Sequence, residues 1–311
     1  MKKTIKFKKI LKIQIKNPKV NNKIKYSSPD NFAIPINTNK INISKNILKN
    51  ILNSNINSNK IIIHVYNSNY GYGFGDFIRG SILLAQYAKY YNINFKIDVS
   101  RHSIAKYLNN ETQMLTRNIK VKKIINQNYR DDKNIFYTLI QKFINSNKTN
   151  LYIQTNVLYN KKHLTNDIKD YINSFFTFKP QYYDTVEELF KLNNYNILHI
   201  RCLDRDFNTN FKDKNLLLKI KKIKSTDNTY IMSNNYELKK RLNNTFGFHF
   251  IDNKAFHCAK IKCIEDLEST IIDYIILSKS SNTYCISYYR HGSGFSEHCS
   301  ALNNIPYTRI R

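Results

Sequence analysis

Three short stretches of this 311-residue chain hold residue types that can do chemistry. "NSNYGYGFGDFIRG", residues 67 to 80, contains four of the seven glycines, Gly71, Gly73, Gly75 and Gly80, and also Asp76. "HIRCLDRD", residues 199 to 206, sets His199 and Arg201 two positions apart and follows them with Asp204 and Asp206. "YYRHGSGFSEHCSALNN", residues 288 to 304, runs through Gly292, Ser293, Gly294, Phe295 and Ser296. All three suit an anionic ligand. A glycine turn lets backbone N–H groups approach a phosphate or sugar closely, and a helix N-terminus adds positive potential. The planar fork of Arg201 matches a phosphate or pyrophosphate, while Asp204 and Asp206 can orient it or handle a proton. Hydroxyls and free N–H groups at the start of a helix make Ser293 to Ser296 a second anion site. Each stretch also has a plain structural reading: a tight strand-to-helix turn, a surface ion-pair cluster, and a Ser N-cap after a glycine turn.

These residues need elements to hold them. "KIIIHVY", residues 60 to 66, is a β-branched apolar run of the length of a buried strand. The glycine turn follows it, then "FIRGSILLAQYAKYYN" reads as a helix apolar on most sides, and "INFKIDVS", 93 to 100, alternates as a strand. Strand, turn, helix, strand is the start of an open α/β unit. Between 101 and 180, "SIAKYLNN" and "NIFYTLIQKFINSN" read as helices, "NLYIQTNVLY" as a strand and "DIKDYINSFFTFKP" as a helix stopped by Pro180. From 181 strands and helices alternate: "YNILHIR", "TYIMS", "FHFID" and "TYCISY" as strands, with helices between them and a last one over "GFSEHCSALNN". This alternation predicts a parallel sheet whose ligand crevice lies at the carboxyl ends of its strands.

Composition narrows the partners. The net charge of +28 points towards nucleic acid, an anionic membrane or an acidic substrate. Asn, Lys, Ile, Tyr and Phe are over-used while Gly, Pro and Ala are scarce, as a strongly AT-biased genome dictates, so many lysines fill solvated positions. They are also spread along the whole chain without a concentrated patch, which disfavours nucleic acid as the partner. Five cysteines, an odd number without a CxxC pair, fit a reducing compartment and no metal site. No apolar run approaches the length of a membrane span, and lysines interrupt any signal-peptide core in "MKKTIKFKKILKIQIK". A cytoplasmic protein is expected, with a basic amphipathic start suited to peripheral contact with a membrane surface. Residues 36 to 59 are low-complexity Asn, Lys, Ile and Ser. The expected domains are a basic N-terminal extension, 1–58, an N-terminal α/β domain, 59–180, and a C-terminal α/β domain, 181–311.

From about residue 60 to 311, the order of these motifs resembles the fucosyltransferase-like superfamily of GT-B glycosyltransferases, which includes α1,2- and α1,6-fucosyltransferases and protein O-fucosyltransferases. The resemblance lies in the "GFGDFIRG" loop after the first strand, in His199, Ile200, Arg201 and Asp204, in Ser233 and Asn234 of "YIMSNN", in Asp273 on an acidic helix, and in Ser293 to Ser296. It implies two Rossmann-like domains facing a cleft, with the acceptor on the N-terminal side and a nucleotide sugar, typically GDP-fucose, on the C-terminal side. It further implies that Arg201 holds the β-phosphate, that Ser293, Gly294, Phe295 and Ser296 contact the diphosphate, and that Gly73, Gly75, His199, Ser233 and Asp273 belong to the donor site. Such enzymes usually invert the anomeric centre without a metal and hold no permanent cofactor. Two positions depart from the pattern: Cys202 stands where many relatives have a second arginine, for which Arg205 is a substitute, and Asn234 stands where an aspartate is usual.

The expected reaction is attack of a glycan or protein hydroxyl on the anomeric carbon, with Arg201 stabilising the leaving nucleotide. Asp76 and Asp204, or Asp206, are the base candidates, with His102 a further one. Two other readings remain open at this point, a basic nucleic-acid-binding protein and a catalytically inactive glycan- or nucleotide-binding relative.

Overall fold

The computed structural model describes residues 59–67, 72–109, 125–127, 133–184, 186–187, 194–203, 206, 213, 215–221, 223, 228–250 and 265–311. Their architecture is α/β, built on two four-stranded sheets. The first holds β1 (Ile61–Val65), β2 (Asn94–Asp98), β3 (Ile125–Gln127) and β4 (Asn150–Thr155) in the order β2-β1-β4-β3. The second holds β5 (Asn196–Arg201), β6 (Thr229–Ser233), β7 (Asn282–Ser287) and β8 (Tyr307–Ile310) in the order β6-β5-β7-β8. All ladders in both sheets are parallel. Strands covered on both faces read as continuous apolar runs, and the central strands IIIHV and NILHIR do so except for one histidine each.

Eight α-helices lie among the described residues: α1 (Phe74–Tyr90), α2 (Lys133–Ile144), α3 (Asn166–Phe175), α4 (Pro180–Asp184), α5 (Leu216–Ile220), α6 (Tyr236–Phe246), α7 (Glu265–Ser278) and α8 (Gly294–Leu302). α1 places Asp76 in its first turn and Lys89 in its last, each favourable to the helix dipole. From Phe74 to Ala88 every residue but Asp76 is buried, as in a helix enclosed between layers. Pro180 opens α4, because its fixed φ and missing N–H suit a first helical position. The preceding helix has already ended at Phe175, and Phe178 forms an antiparallel bridge with Leu108. The expected helix at 103–110 is a 3₁₀ turn, Ser103–Tyr107. Of "FHFID", His249 pairs with Tyr230 in a single bridge, and residues 251–252 lie outside the described ones.

Two apolar cores hold the sheets. Along β5 the side chains alternate, Ile197 facing one core and Leu198 and Ile200 the other. The smaller core closes that second face with Leu216, Ile220, Leu238, Leu242 and Phe248 from α5, α6 and the segment after α6. The larger is continuous through both halves, joining Ile62, Phe77 and Ile153 to Ile197, Met232, Leu267 and Ile271. Tyr274 of α7 meets Phe74 and Phe178 edge-on at 5.2 and 5.8 Å. Burial of each such side chain stabilises the fold by about 1.5–3 kcal/mol, so α7 binds the two sheets firmly.

Candidate functional site

The chain leaves β1 through Tyr66 and Asn67 and enters α1 at Gly73, its extended N-cap residue. In the first turn, Arg79 Nη2 lies 2.8 Å from Asp76 Oδ1. Arg79 Nε also donates to the carbonyl of Asn156, just past β4, at 2.7 Å. One arginine therefore ties α1 to the carboxyl end of the neighbouring strand. Two glycines allow this closeness. A Cβ on Gly80 would lie 1.9 Å from the Thr155 oxygen, and one on Gly75 would lie 2.3 Å from the Phe295 nitrogen. Sequence reasoning put a ligand beside Gly75; the structure puts the first turn of α8 there.

At the second sheet, Arg201 ends β5 opposite Ser287 of β7, on either side of the point where the strand order reverses. Its guanidinium stands 5.2 Å from the centre of the Tyr289 ring, and that ring is 5.2 Å from the His291 ring. Arg309 reaches in from β8, donating to the carbonyls of Tyr289 at 3.0 Å and Arg290 at 2.7 Å. It props a loop that turns through Gly292, whose φ of +88° favours glycine. Asp76 Oδ1 comes within 3.9 Å of a Cβ placed on Gly294, so the N-termini of α1 and α8 lie close together. Desolvation lowers the pKa of His291, Asp76 raises it, and Arg79, Arg309 and Arg201 lower it further. Three guanidiniums and one carboxylate thus act on one imidazole.

The NodZ α-1,6-fucosyltransferase co-crystallised with GDP matches with a TM-score of 0.46 at 12% identity, covering 78% of this chain and 92% of that one. The form soaked with GDP-fucose gives 0.47, and selenomethionine NodZ from Bradyrhizobium 0.48, both at 12% identity over the same shares. No protein-family model matches the sequence, and no curated protein does.

The other candidate residues described are buried or partly buried. His199 is buried with Nδ1 2.8 Å from Ser296 Oγ, and burial, reinforced by Arg201, lowers its pKa to about 3. Phe295 meets the His199 ring edge-on at 6.1 Å. Ser293 is the N-cap residue of α8, yet its hydroxyl makes no capping bond. Ser233 is buried and its Oγ accepts from the Asn235 N–H at 3.1 Å, while Asn235 Oδ1 caps α6. Asp273 is buried on α7; burial raises its pKa to about 6 against the pull of Lys239, itself buried on α6. Asp204 and Arg205 lie outside the described residues. The Asp206 N–H bonds to the Leu203 carbonyl at 2.9 Å.

The Asn234 side chain bonds to the backbone of Cys202. Asn234 Oδ1 accepts from the Cys202 N–H at 2.8 Å and Asn234 Nδ2 donates to the Cys202 carbonyl at 2.9 Å. An aspartate could accept the first bond and could not donate the second. Cys202 is fully buried in the smaller core. His102 is also architectural. Its Nδ1 accepts from the Ile104 N–H at 3.1 Å, and its ring stacks on Tyr66 at 3.8 Å.

Cys202, Cys285 and Cys299 are buried free thiols, and Cys258 and Cys263 lie outside the described residues. Among the described residues no three His, Cys, Asp or Glu side chains are grouped to hold a metal, and no helix is long and apolar enough to cross a membrane. Sequence reasoning missed Arg79, His291 and Arg309. Arg79 had a signal in the Asp76-x-x-Arg79 spacing of one helical turn.

Proposed function

We propose that this chain is an inverting, metal-independent glycosyltransferase of GT-B type. It moves fucose or a related deoxyhexose from a GDP-linked donor to a hydroxyl of a glycan or protein. The observation that carries the reading is the gathering of Arg201, Arg309 and Arg79 around the loop that opens α8, at the carboxyl ends of β5 and β7. As the anomeric C–O bond breaks, negative charge develops on the β-phosphate, and cations held in advance stabilise it without reorganising. Each arginine is so held: Arg201 by its place on β5 and the Tyr289 ring, Arg79 by Asp76 and Asn156, Arg309 by two carbonyls. Side chains already ordered lose little entropy when ligand arrives. GDP and fucose come from the motif resemblance, as does the assignment of 59–180 to the acceptor and 181–311 to the donor. Ser293 and Gly294 face the diphosphate, and the His199–Ser296 contact holds the start of α8 against β5; the roles of Ser233 and Asp273 come from the motif resemblance.

Thermal unfolding with GDP, UDP, dTDP or CDP, each with and without Mg²⁺, tests the reading. Ligand at about 100 times its Kd adds about 2.7 kcal/mol to native stability. GDP is expected to raise the Tm with or without Mg²⁺, and Arg201→Ala to abolish the rise. A rise with a different nucleotide keeps the transferase and removes GDP and fucose. No rise with any of the four sinks the reading.

A further inference from the structure

We propose that a cavity between α3, α8 and β8 holds one neutral pyranose ring of an extended acceptor glycan, away from the ring whose hydroxyl reacts. This subsite rests on the glycosyltransferase reading. The cavity measures about 250 Å³ and is walled by both halves of the fold. On one side stand Tyr159 and Lys161, from the segment after β4, and Lys169 of α3. Glu297 and Ala301 of α8 form the other, with Tyr307 where β8 begins. Sites that enclose drug-sized ligands run to roughly 300–1,000 Å³, so this one suits a single sugar ring and not a whole nucleotide.

The lining selects the chemistry. Ala301, Ile305 and the two tyrosine rings supply apolar surface, which suits the C–H faces of a pyranose. The lysines supply donors and Glu297 an acceptor, which suits hydroxyls able to do both. A free anion is the poorer fit, because each ammonium is already engaged: Lys161 Nζ lies 2.8 Å from Glu297 Oε1, and Lys169 Nζ donates to Asn304 Oδ1 at 2.6 Å. The walls are also fixed in advance. The Tyr159 ring meets the His298 ring edge-on at 5.5 Å. Gln86 of α1 donates to the carbonyl of the neighbouring Asn160 at 2.7 Å and accepts from its N–H at 3.2 Å. Asn173 of α3 donates to the Leu302 carbonyl at 3.2 Å, tying α3 to α8 across the cavity's edge. Groups so held lose little entropy on binding.

Position links the cavity to the reaction. Glu297 stands three residues after Gly294, about 4.5 Å along α8 from its opening. Tyr307 stands two residues before Arg309 on the same face of β8, about 6.6 Å away. A glycan with one ring in the cavity can therefore extend along α8 to the loop that Arg201 and Arg309 flank. Binding energy from such a remote ring serves to hold the reacting hydroxyl in place.

The experiment uses the full chain with its donor surface filled by GDP, and follows the methyl glycosides of glucose, galactose, mannose and N-acetylglucosamine by saturation-transfer NMR. At least one is expected to bind. Ala301→Phe fills the cavity and should weaken that binding by about tenfold or more, while leaving the GDP-induced Tm rise as in wild type. Glu297→Gln keeps the cavity's volume and removes a charged acceptor, so it should weaken binding by about tenfold; it decides the matter should Ala301→Phe fail to fold. Binding of none of the four overturns the proposal, as does binding that both variants leave unchanged. Inorganic phosphate bound in place of the glycosides, and lost in Ala301→Phe, also overturns it. A GDP-induced Tm rise without glycoside binding defeats the subsite alone. No GDP-induced rise defeats the transferase reading, and glycoside binding sensitive to Ala301→Phe then leaves a carbohydrate site with no transfer to serve, which overturns the acceptor assignment.

Discussion

β1 and β5 carry a histidine at matching points and hold it in the same way. His64 Nδ1 lies 2.8 Å from Ser81 Oγ on α1, and His199 Nδ1 lies 2.8 Å from Ser296 Oγ on α8. Both rings are buried, and burial holds both pKa values at about 3. Two residues further on, the strands part company. β1 runs into Tyr66, fully buried and stacked between Phe77 at 4.1 Å and His102 at 3.8 Å. β5 runs into Arg201, partly exposed beside Tyr289. The histidine–serine pair is thus scaffold in both sheets, and the residue two places later decides whether the strand end is sealed or offers charge to a ligand.

The helices after the two crevices differ in how much they tolerate, and this gives the largest expected effect. Ala in place of Gly in a helix usually adds up to about 1 kcal/mol. Here Gly75→Ala or Gly80→Ala would push a methyl group into backbone atoms 2.3 or 1.9 Å away, which no rotamer change relieves. Overpacking then dominates, and each is expected to cost about 3 kcal/mol in denaturant unfolding. A Cβ on Gly294 would meet the edge of the His298 ring at 3.4 Å and Asp76 Oδ1 at 3.9 Å, both side-chain atoms at ordinary contact distance, so Gly294→Ala should leave stability within about 0.5 kcal/mol of wild type. Equal costs at Gly75 and Gly294 would contradict the packing described between α1 and α8.

Acid should treat the paired histidines alike. Their native pKa values of about 3 lie below the ordinary value of about 6.5 that the unfolded chain shows. Between those limits the unfolded state binds protons that the native state refuses, so stability is full above pH 6.5 and falls as the pH drops. Each histidine contributes about 1.4 kcal/mol per pH unit, or about 2 kcal/mol between pH 6.5 and 5. His64→Gln and His199→Gln should each reduce the pH slope of urea unfolding by the same amount. A slope left unchanged by one of them would mean that its imidazole is protonated in the native state and that the likeness between the strands fails.

The scaffold was more legible than the site. Apolar runs such as IIIHV, NILHI and TYIMS announce themselves because a strand covered on both faces has no polar positions to spare. β8 escaped, since an edge strand reading Tyr-Thr-Arg-Ile alternates polar and apolar over only four residues. Arg309 escaped with it. His291 stood within a stretch already singled out, but the Tyr289 ring beside it is reached by Arg201 from β5 and the Tyr289 carbonyl by Arg309 from β8, and no local spacing encodes that meeting. Gly75 was conspicuous for a different reason than its sequence context suggested. A glycine beside a helix start leaves space, and the sequence does not say whether ligand or protein fills it.

The smallest effect separates scaffold from site most directly. Ser81 Oγ donates to the Phe77 carbonyl at 3.0 Å and lies 2.8 Å from His64 Nδ1, while His64 Nε2 lies 3.2 Å from the Thr155 carbonyl oxygen and 3.3 Å from the Thr155 nitrogen. Ser81→Ala removes the side-chain partner of His64, as Ser296→Ala removes that of His199. Each should cost about 1–2 kcal/mol of stability. The consequences then diverge. Ser81 supports a strand end closed by aromatic rings, so its loss should leave the GDP-induced Tm rise intact. Ser296 joins β5 to the first turn of α8, beside Ser293 and Gly294, so its loss should diminish that rise as well as stability. If both variants bind GDP as wild type does, His199 has no part in shaping the ligand surface and the two strands differ at Arg201 alone.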